Sequence, residues 1–156
     1  MIRMILAAAL AASVALPARA QDRAAAGVVV LEPWTRATAA SAPTAAGYMA
    51  LRNDGSQPER VLSASSPLAR AVELHETRMD GDIMRMRQLD TGLMLPPGST
   101  VRLDPGGTHF MLVGPSRAFK RGERVPLTLR FEHAGEVNVE LRVEAPGARG
   151  PAHAGH

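Results

Sequence analysis

The stretch of sequence that decides the fold is VELHETRMDGDIMRM, residues 72–86. Alternating residues flank Asp80-Gly81, and this dipeptide between two alternating runs is a strong signal for a β-hairpin with a two-residue type I′ turn. With Asp80 and Gly81 as the turn, His75 would lie directly opposite Met86. Opposed residues share a sheet face, with their Cβ atoms about 5 Å apart. The hairpin therefore predicts an imidazole beside a thioether.

The rest of the chain continues the β pattern. Short apolar or alternating runs are separated by clusters of Gly, Pro, Asn and Asp, and no stretch has a convincing helical period. Such spacing predicts an all-β domain, either a sandwich or a small barrel. The predicted strands are Val28–Leu31, Gly47–Arg52, Arg60–Ala64, Ala71–Thr77, Ile83–Gln88, Thr100–Leu103, His109–Val113, Pro126–Glu132 and Glu136–Val143.

A second histidine and methionine occur in PGGTHFMLVG, residues 105–114. His109 and Met111 are two apart in a predicted strand, so they share a face. Two imidazoles and two thioethers form a donor set suited to Cu(I), since soft sulfur selects soft metals. The chain has no Cys, so methionine is its source of soft donors. That both pairs surround one ion is an assumption at this point, because His and Met in strands are also common packing residues.

The first twenty residues predict a secretory signal peptide. Arg3 precedes a short apolar run, and Ala18-Arg19-Ala20 is a small-x-small cleavage site. The run is shorter than the roughly 20 residues that span a bilayer. With no Cys at position 21, no lipid anchor is expected either. The chain from Gln21 is therefore expected to be exported and not inserted in a membrane.

Charge and the C-terminal composition limit the remaining possibilities. Of the 18 Lys and Arg, two lie in the leader, which leaves about one net positive charge against 15 Asp and Glu. No basic stripe with interleaved aromatics is present, so nucleic acid is not an expected partner. The domain is expected to span residues 21–144. Residues 145–156 are rich in Pro, Gly and Ala and predict a disordered tail that contains His153 and His156.

The two metal-ligating segments resemble the periplasmic copper chaperone family called PCuAC. Its signature is His-x10-Met-x21-His-x-Met. The chain has ten residues between His75 and Met86, and 22, one more than the signature, between Met86 and His109. The additional residue is expected in the turn at Asp90-Thr91-Gly92. The resemblance covers most of the chain after the leader.

This resemblance implies a cupredoxin-like β-sandwich or Greek-key barrel. No nucleophile motif such as G-x-S-x-G is present, so no enzymatic activity is expected. The resemblance implies Cu(I) ligation by His75, Met86, His109 and Met111. It also implies delivery of copper to the copper site of cytochrome c oxidase subunit II, beside a Sco-type thiol chaperone. Some members bind Cu(II) with a C-terminal tail, so His153 and His156 are either a weak Cu(II) site or an idle end.

Two other readings of the sequence stay open. One is a periplasmic copper-buffering or resistance protein that never passes its metal on. The other is a metal-free β-sandwich interaction module. Met79 and Met84 share a face of the hairpin with His75, and they are either secondary copper contacts or loosely held apolar residues.

Overall fold

A computed structural model describes residues 23–152, and these residues form eleven β-strands with no helix. No helix in this range is therefore long and apolar enough to cross a membrane. The predicted signal peptide lies outside the described residues. The strands are β1 (Arg23–Ala25), β2 (Val28–Arg36), β3 (Thr44–Asn53), β4 (Glu59–Ser65), β5 (Ala69–Asp80), β6 (Ile83–Gln88), β7 (Leu93–Leu95), β8 (Thr100–Leu103), β9 (Thr108–Pro115), β10 (Arg124–Phe131) and β11 (Gly135–Glu144).

Seven of these strands close into a barrel. Around the ring the order is β2, β11, β10, β4, β5, β9 and β3, and β3 pairs again with β2. The pairings are antiparallel except that between β11 and β2, which is parallel. The remaining strands attach to single members of the ring: β1 to β2, β8 to β3, β7 to β4 and β6 to β5. The prediction of an all-β barrel or sandwich is confirmed.

Buried apolar residues alternate with more exposed residues along the strands, and the buried ones fill the barrel. Along β10, Val125, Leu127, Leu129 and Phe131 are buried, and the residues between them are half-buried or exposed. Residues i and i+2 of a strand line the same face, so one face of each strand supplies the core. The other strands add further members of this core, among them Val30, Leu51, Leu74, Leu95, Leu103, Phe110, Leu112, Val139 and Leu141.

The predicted strands agree with the observed ones to within a few residues at their ends, and two strands were missed. These are β1 and β7, which have three residues each. So short a run has no readable period. The strand β7 exists because its backbone pairs with β4, through Glu59 opposite Leu95 and Val61 opposite Leu93.

The predicted register of the hairpin is wrong by two residues. Met86 lies opposite Thr77, and the residue opposite His75 is Gln88. The two-residue loop is Gly81-Asp82, and of these two only Gly81 has a positive φ, 62°. A glycine in the first position of such a loop is typical of a type II′ turn. Because the shift is an even number of residues, Met86 remains on the same face as His75.

Part of the segment predicted as a disordered tail is described, and it lies against the barrel. Arg36 donates from Nε to the carbonyl of Ala148, at 2.7 Å. The backbone N–H of Ala152 donates to the Glu144 carboxylate, and its carbonyl accepts from Arg142. The two tail histidines lie outside the described residues.

Candidate metal centre

The two predicted histidine ligands lie directly opposite each other on β5 and β9. His75 pairs with His109, and their ring centroids are 6.0 Å apart. Their sequence neighbours Leu74 and Phe110 also pair, and both point into the core. The imidazoles therefore project from the outer face of the barrel wall. Even there the two histidines are only 9% and 7% exposed, so something covers them.

An aromatic layer on the outer face provides part of this cover. Tyr48 of β3 lies beside His109, with ring centroids 6.3 Å apart, and Trp34 of β2 lies beside Tyr48 at 4.7 Å. The guanidinium of Arg36 lies within about 6 Å of both aromatic centroids, at 6.0 and 5.7 Å. Burial raises the pKa of the Tyr48 phenol, although Arg36 opposes the rise. The phenol therefore stays neutral beside the histidines at ordinary pH.

The ring nitrogens of His109 have defined roles. Its Nδ1 is 3.0 Å from the carbonyl oxygen of Gly107. A carbonyl can only accept a hydrogen bond, so Nδ1 carries the proton and the lone pair of the neutral ring is at Nε2. Metal-ligating histidines are usually held in this way, by a hydrogen bond from the nitrogen that does not bind the ion. His109 is thus set up as an Nε2 donor.

His75 is held by a carboxylate. Its Nε2 is 2.8 Å from Oε2 of Glu73, two residues earlier on the same face of β5. An ionised carboxylate only accepts, so Nε2 of His75 donates and the neutral ring has its lone pair at Nδ1. Within residues 26–152, Nδ1 of His75 is the one buried side-chain N or O atom without a hydrogen-bond partner. An unpaired buried polar atom costs about 1–3 kcal/mol, and a bound metal ion would remove that cost.

The two methionines lie on either side of the histidine pair. Met111 follows His109 by two residues on β9, is half-buried, and lies opposite both Glu73 and Ala46. Met86 is on β6 and 55% exposed. Its partner on β5 is Thr77, two residues after His75, so Met86 lies diagonal to His75 on the same face. The structure thus groups His75, His109 and Met111 on one strand pair and adds Met86 from the neighbouring strand.

A cavity of about 520 Å³ lies on this outer face, beside His109. Met86, Met111, Tyr48 and Arg36 line it together with His109. Gly106 also lines it, near the point where β9 begins, and contributes no side chain. A metal ion at the histidines would therefore be reachable from outside. The complete lining is Arg36, Ala37, Thr38, Thr44, Ala45, Ala46, Tyr48, Thr77, Met84, Met86, Gly106, His109, Met111 and Pro146.

Two participants in this arrangement escaped the sequence analysis. Glu73 could have been found, since it precedes His75 by two residues and so shares its face. The position of Tyr48, like that of Trp34, could not have been found. Both are buried, but they lie on the outer face and not in the core cluster. The local sequence pattern cannot distinguish burial in the core from burial on the outer face, because residues on the outer face are covered by strands that are distant in sequence.

A second group of metal-capable side chains, Glu59, Glu132 and His133, lies at the turn after β10. The buried Glu59 carboxylate already accepts from the backbone N–H groups of Arg60, His133 and Ala134, and it contacts the His133 ring at 3.3 Å. Burial raises the pKa of Glu59, but these N–H donors and His133 outweigh it, so the pKa lies below its usual value. This carboxylate stabilises the turn, and its oxygens are already occupied.

The chain belongs to the LpqE-like family, described as "Putative lipoprotein LpqE-like", which it matches over residues 28–143. The protein "Putative lipoprotein Lxx21020" of Leifsonia xyli subsp. xyli (strain CTCB07) is 37% identical over 134 residues. That match covers 85% of this chain and 80% of the relative. The whole site described above, from Trp34 to Met111, lies within the matched region.

Solved structures of PCuAC domains share this fold. The copper-bound PCuAC domain from PmoF2 is 32% identical, with a TM-score of 0.68 over 81% of this chain and 99% of that domain. The Cu(I) form of DR1885 from Deinococcus radiodurans is 31% identical, with a TM-score of 0.56 over 74% of this chain and 78% of that one. The predicted cupredoxin-like fold is confirmed, and so is the similarity to PCuAC domains.

Proposed function

We propose that this protein is an exported copper carrier that binds one Cu(I) ion through His75, Met86, His109 and Met111. The observation that carries the proposal is the opposed histidine pair. Each ring has one nitrogen held by a hydrogen bond and one lone pair left over. Met86 and Met111 line the same cavity as His109. The copper-bound PCuAC structures support copper as the cargo.

The donor set favours Cu(I) over harder ions. Thioether sulfur is a soft ligand, and imidazole is compatible with copper in either oxidation state. All four proposed donors are uncharged, so the ion would keep its positive charge within the site. The nearby Glu73 carboxylate compensates this charge without having to bind the ion. The site lacks the Cys that a blue-copper electron carrier requires, and the proposal assigns the protein no enzymatic reaction.

A competition titration tests the metal site. Purified protein should take one equivalent of Cu(I) from a chromogenic chelator, and His75→Ala/His109→Ala should lose this equivalent. His133→Ala is the matched control, since His133 is an exposed histidine at a distant turn. If the double variant binds copper as well as wild type does, the assignment of the ligands is wrong. If wild-type protein takes no copper, the metal-free interaction module becomes the better hypothesis.

The proposed acceptor is the copper site of cytochrome c oxidase subunit II, with or without a Sco-type thiol chaperone. Thiolates bind Cu(I) more strongly than thioethers, so a two-Cys acceptor should draw the metal downhill. The cavity beside the histidines gives such an acceptor access. Copper-loaded protein is mixed with the apo soluble domain of subunit II, the two proteins are separated, and the copper content of each is measured. Copper that stays on the carrier in every combination would favour the buffering alternative.

The proposed location is the periplasm. The family description as lipoprotein-like supports export, and residues 1–20 have the pattern of a signal peptide. Fractionation of cells that express the full chain, followed by determination of the N-terminus, tests both points. Recovery of the uncleaved chain from the cytoplasm would reject the location.

The C-terminal histidines are proposed as a separate, weaker Cu(II) site. Truncation after Ala152 removes His153 and His156 and keeps the backbone contacts of Ala148 and Ala152 with the barrel. Cu(I) binding should be unchanged by this truncation, and the weaker Cu(II) binding should be lost. Unchanged Cu(II) binding in the truncated protein would reject this role of the tail.

A further inference from the structure

The β5–β6 hairpin exposes three methionines on one face. Met79, Met84 and Met86 are 62%, 65% and 55% exposed, and they are among the most exposed large apolar side chains of the described residues. Every residue of β6 is exposed, and within residues 23–152 this strand pairs only with β5. We call the part of the hairpin from Thr77 to Gln88 the ribbon.

Register brings these methionines together. Met79 lies directly opposite Met84, in the second-last residue pair before the loop, so their Cβ atoms are about 5 Å apart. Met84 and Met86 are two apart on β6, which places them about 7 Å apart on one face. Met84 and Met86 line the same cavity as His109 and Met111. A row of methionines therefore leads from the loop to the candidate metal centre.

The opposite face of the ribbon is charged and internally paired. Glu76 accepts from Arg78 and Arg87, and Asp80 accepts from Arg85 at 2.9 Å. Hydrogen bonds from Arg78 and then Arg87 outweigh the small effect of burial, so the pKa of Glu76 is lowered and it stays ionised. These ion pairs lie on the ribbon's solvated polar face, and its methionine face is exposed as well. Exposed apolar surface of this kind usually has a function.

We propose that Met79 and Met84 form a second binding site for a soft monovalent ion, Cu(I) or Ag(I), at the tip of the ribbon. From there the ion passes to Met86 and then to the histidines. Only ligands are exchanged along this row, and the ion stays monovalent. The binding itself depends on nothing else, but the passage to the histidines rests on the function proposed above. The tip would then be where copper enters the carrier.

Silver titration of protein labelled with [methyl-¹³C]methionine tests the binding step. The first equivalent of Ag(I) should shift the methyl signals of Met86 and Met111, and the second should shift those of Met79 and Met84. In Met79→Leu/Met84→Leu the second equivalent should be lost and the first kept. Met94→Leu is the matched control, since Met94 is 43% exposed and lies on β7, away from the ribbon. It should leave both equivalents unchanged.

Stopped-flow loading from a weak Cu(I) complex tests the passage. With one equivalent of Cu(I), Met79→Leu/Met84→Leu should reach the same final occupancy of the histidine site as wild type but load more slowly, and Met94→Leu should load at the wild-type rate. Leucine keeps the apolar surface and removes the sulfur. If the ribbon instead served to dock a protein partner, the leucine variant would therefore behave as wild type in both experiments.

The outcomes separate the two proposals. Signals of Met79 and Met84 that do not move with Ag(I), or that move no more than the signal of Met94, overturn the tip site. Equal loading rates in all variants overturn the passage. Failure of the first equivalent to shift Met86 and Met111, with Met79 and Met84 still responding, would count against the proposed function and leave the tip site standing.

Discussion

Replacement of Glu73 by leucine is expected to weaken Cu(I) binding about tenfold. The Glu73 carboxylate accepts the Nε2 proton of His75 at 2.8 Å, which leaves the lone pair at Nδ1. Loss of such an outer hydrogen bond typically costs about 10–100-fold in metal affinity. The Glu73 side chain is 34% exposed, so solvent screening places the effect at the lower end. Tenfold in affinity corresponds to about 1.4 kcal/mol.

A second variant separates the hydrogen bond from the charge. The side-chain oxygen of Glu73→Gln can still accept from Nε2, so the tautomer is kept and only the negative charge is lost. We expect a smaller loss of affinity, below about 1 kcal/mol, because a partly exposed charge contributes little. Glu76→Gln is the matched control, since this carboxylate lies on the other face of β5 and pairs with arginines.

The assay is competition for Cu(I) with a chromogenic chelator at constant pH, combined with ¹⁵N NMR of the imidazole nitrogens in the metal-free protein. The NMR should report a protonated Nε2 of His75 in wild type and in Glu73→Gln, and a mixture of tautomers in Glu73→Leu. Unchanged or tighter copper binding by Glu73→Leu would refute the reasoning. It would mean that copper binds Nε2 of His75 and that the carboxylate competes with the ion.

Three further predictions concern acid, the turn after β10, and a glycine. Cu(I) affinity should fall as pH drops through the range near 6.5 in which imidazole ordinarily takes up a proton, and an affinity that stays flat down to pH of about 5 would argue against histidine ligands. Glu59→Gln should lower the free energy of unfolding by about 1–3 kcal/mol. Because the pKa of Glu59 is lowered in the folded state, its contribution is full above the unfolded value of 4.5 and is lost as pH falls through the folded value. Urea unfolding of wild type and variant should therefore converge in acid, whereas the exposed Glu132→Gln should have little effect at any pH. Gly92→Ala should cost more than Gly98→Ala: both glycines have positive φ, which alone costs about 1–3 kcal/mol, but only at Gly92 would the new Cβ lie 2.1 Å from the Val61 carbonyl oxygen. Equal thermal stabilities of the two variants would contradict this.

The sequence predicted the faces of the hairpin correctly and its register incorrectly, for a physical reason. Asp80-Gly81 fits a type I′ turn, but Gly81-Asp82 fits a type II′ turn equally well, since each places the glycine at a positive φ. Both choices put the same residues on the same face, so alternation cannot distinguish them. The choice decides whether Met86 lies opposite His75 or diagonal to it.

The cover over the histidines could not be predicted from local pattern. His75 and His109 occupy the outward positions of strands whose inward positions hold Leu74 and Phe110, and alternation alone would leave them in water. His109 is covered in part because β2 and β3 place Trp34 and Tyr48 on the same outer face. Only the closure of the ring through the β2–β3 pairing brings these strands into position.

The twelve-residue strand β5 belongs both to the barrel ring and to the ribbon, and the ribbon is the less firmly held of the two. The residues of β5 up to Glu76 pair with the ring strand β9, and the Thr77 N–H still bonds to the Gly107 carbonyl, whereas residues 78–80 pair with β6 alone among the described residues. The ribbon can therefore fray while every pairing of the ring stays intact, which is the low-cost kind of local opening. Three of the proposed donors lie on the ring strands β5 and β9, and the fourth, Met86, lies on β6, in the part that opens. Amide hydrogens of β6 should accordingly exchange much faster than those of β9. In the proposed function, opening of the ribbon would weaken the hold on copper without unfolding the barrel.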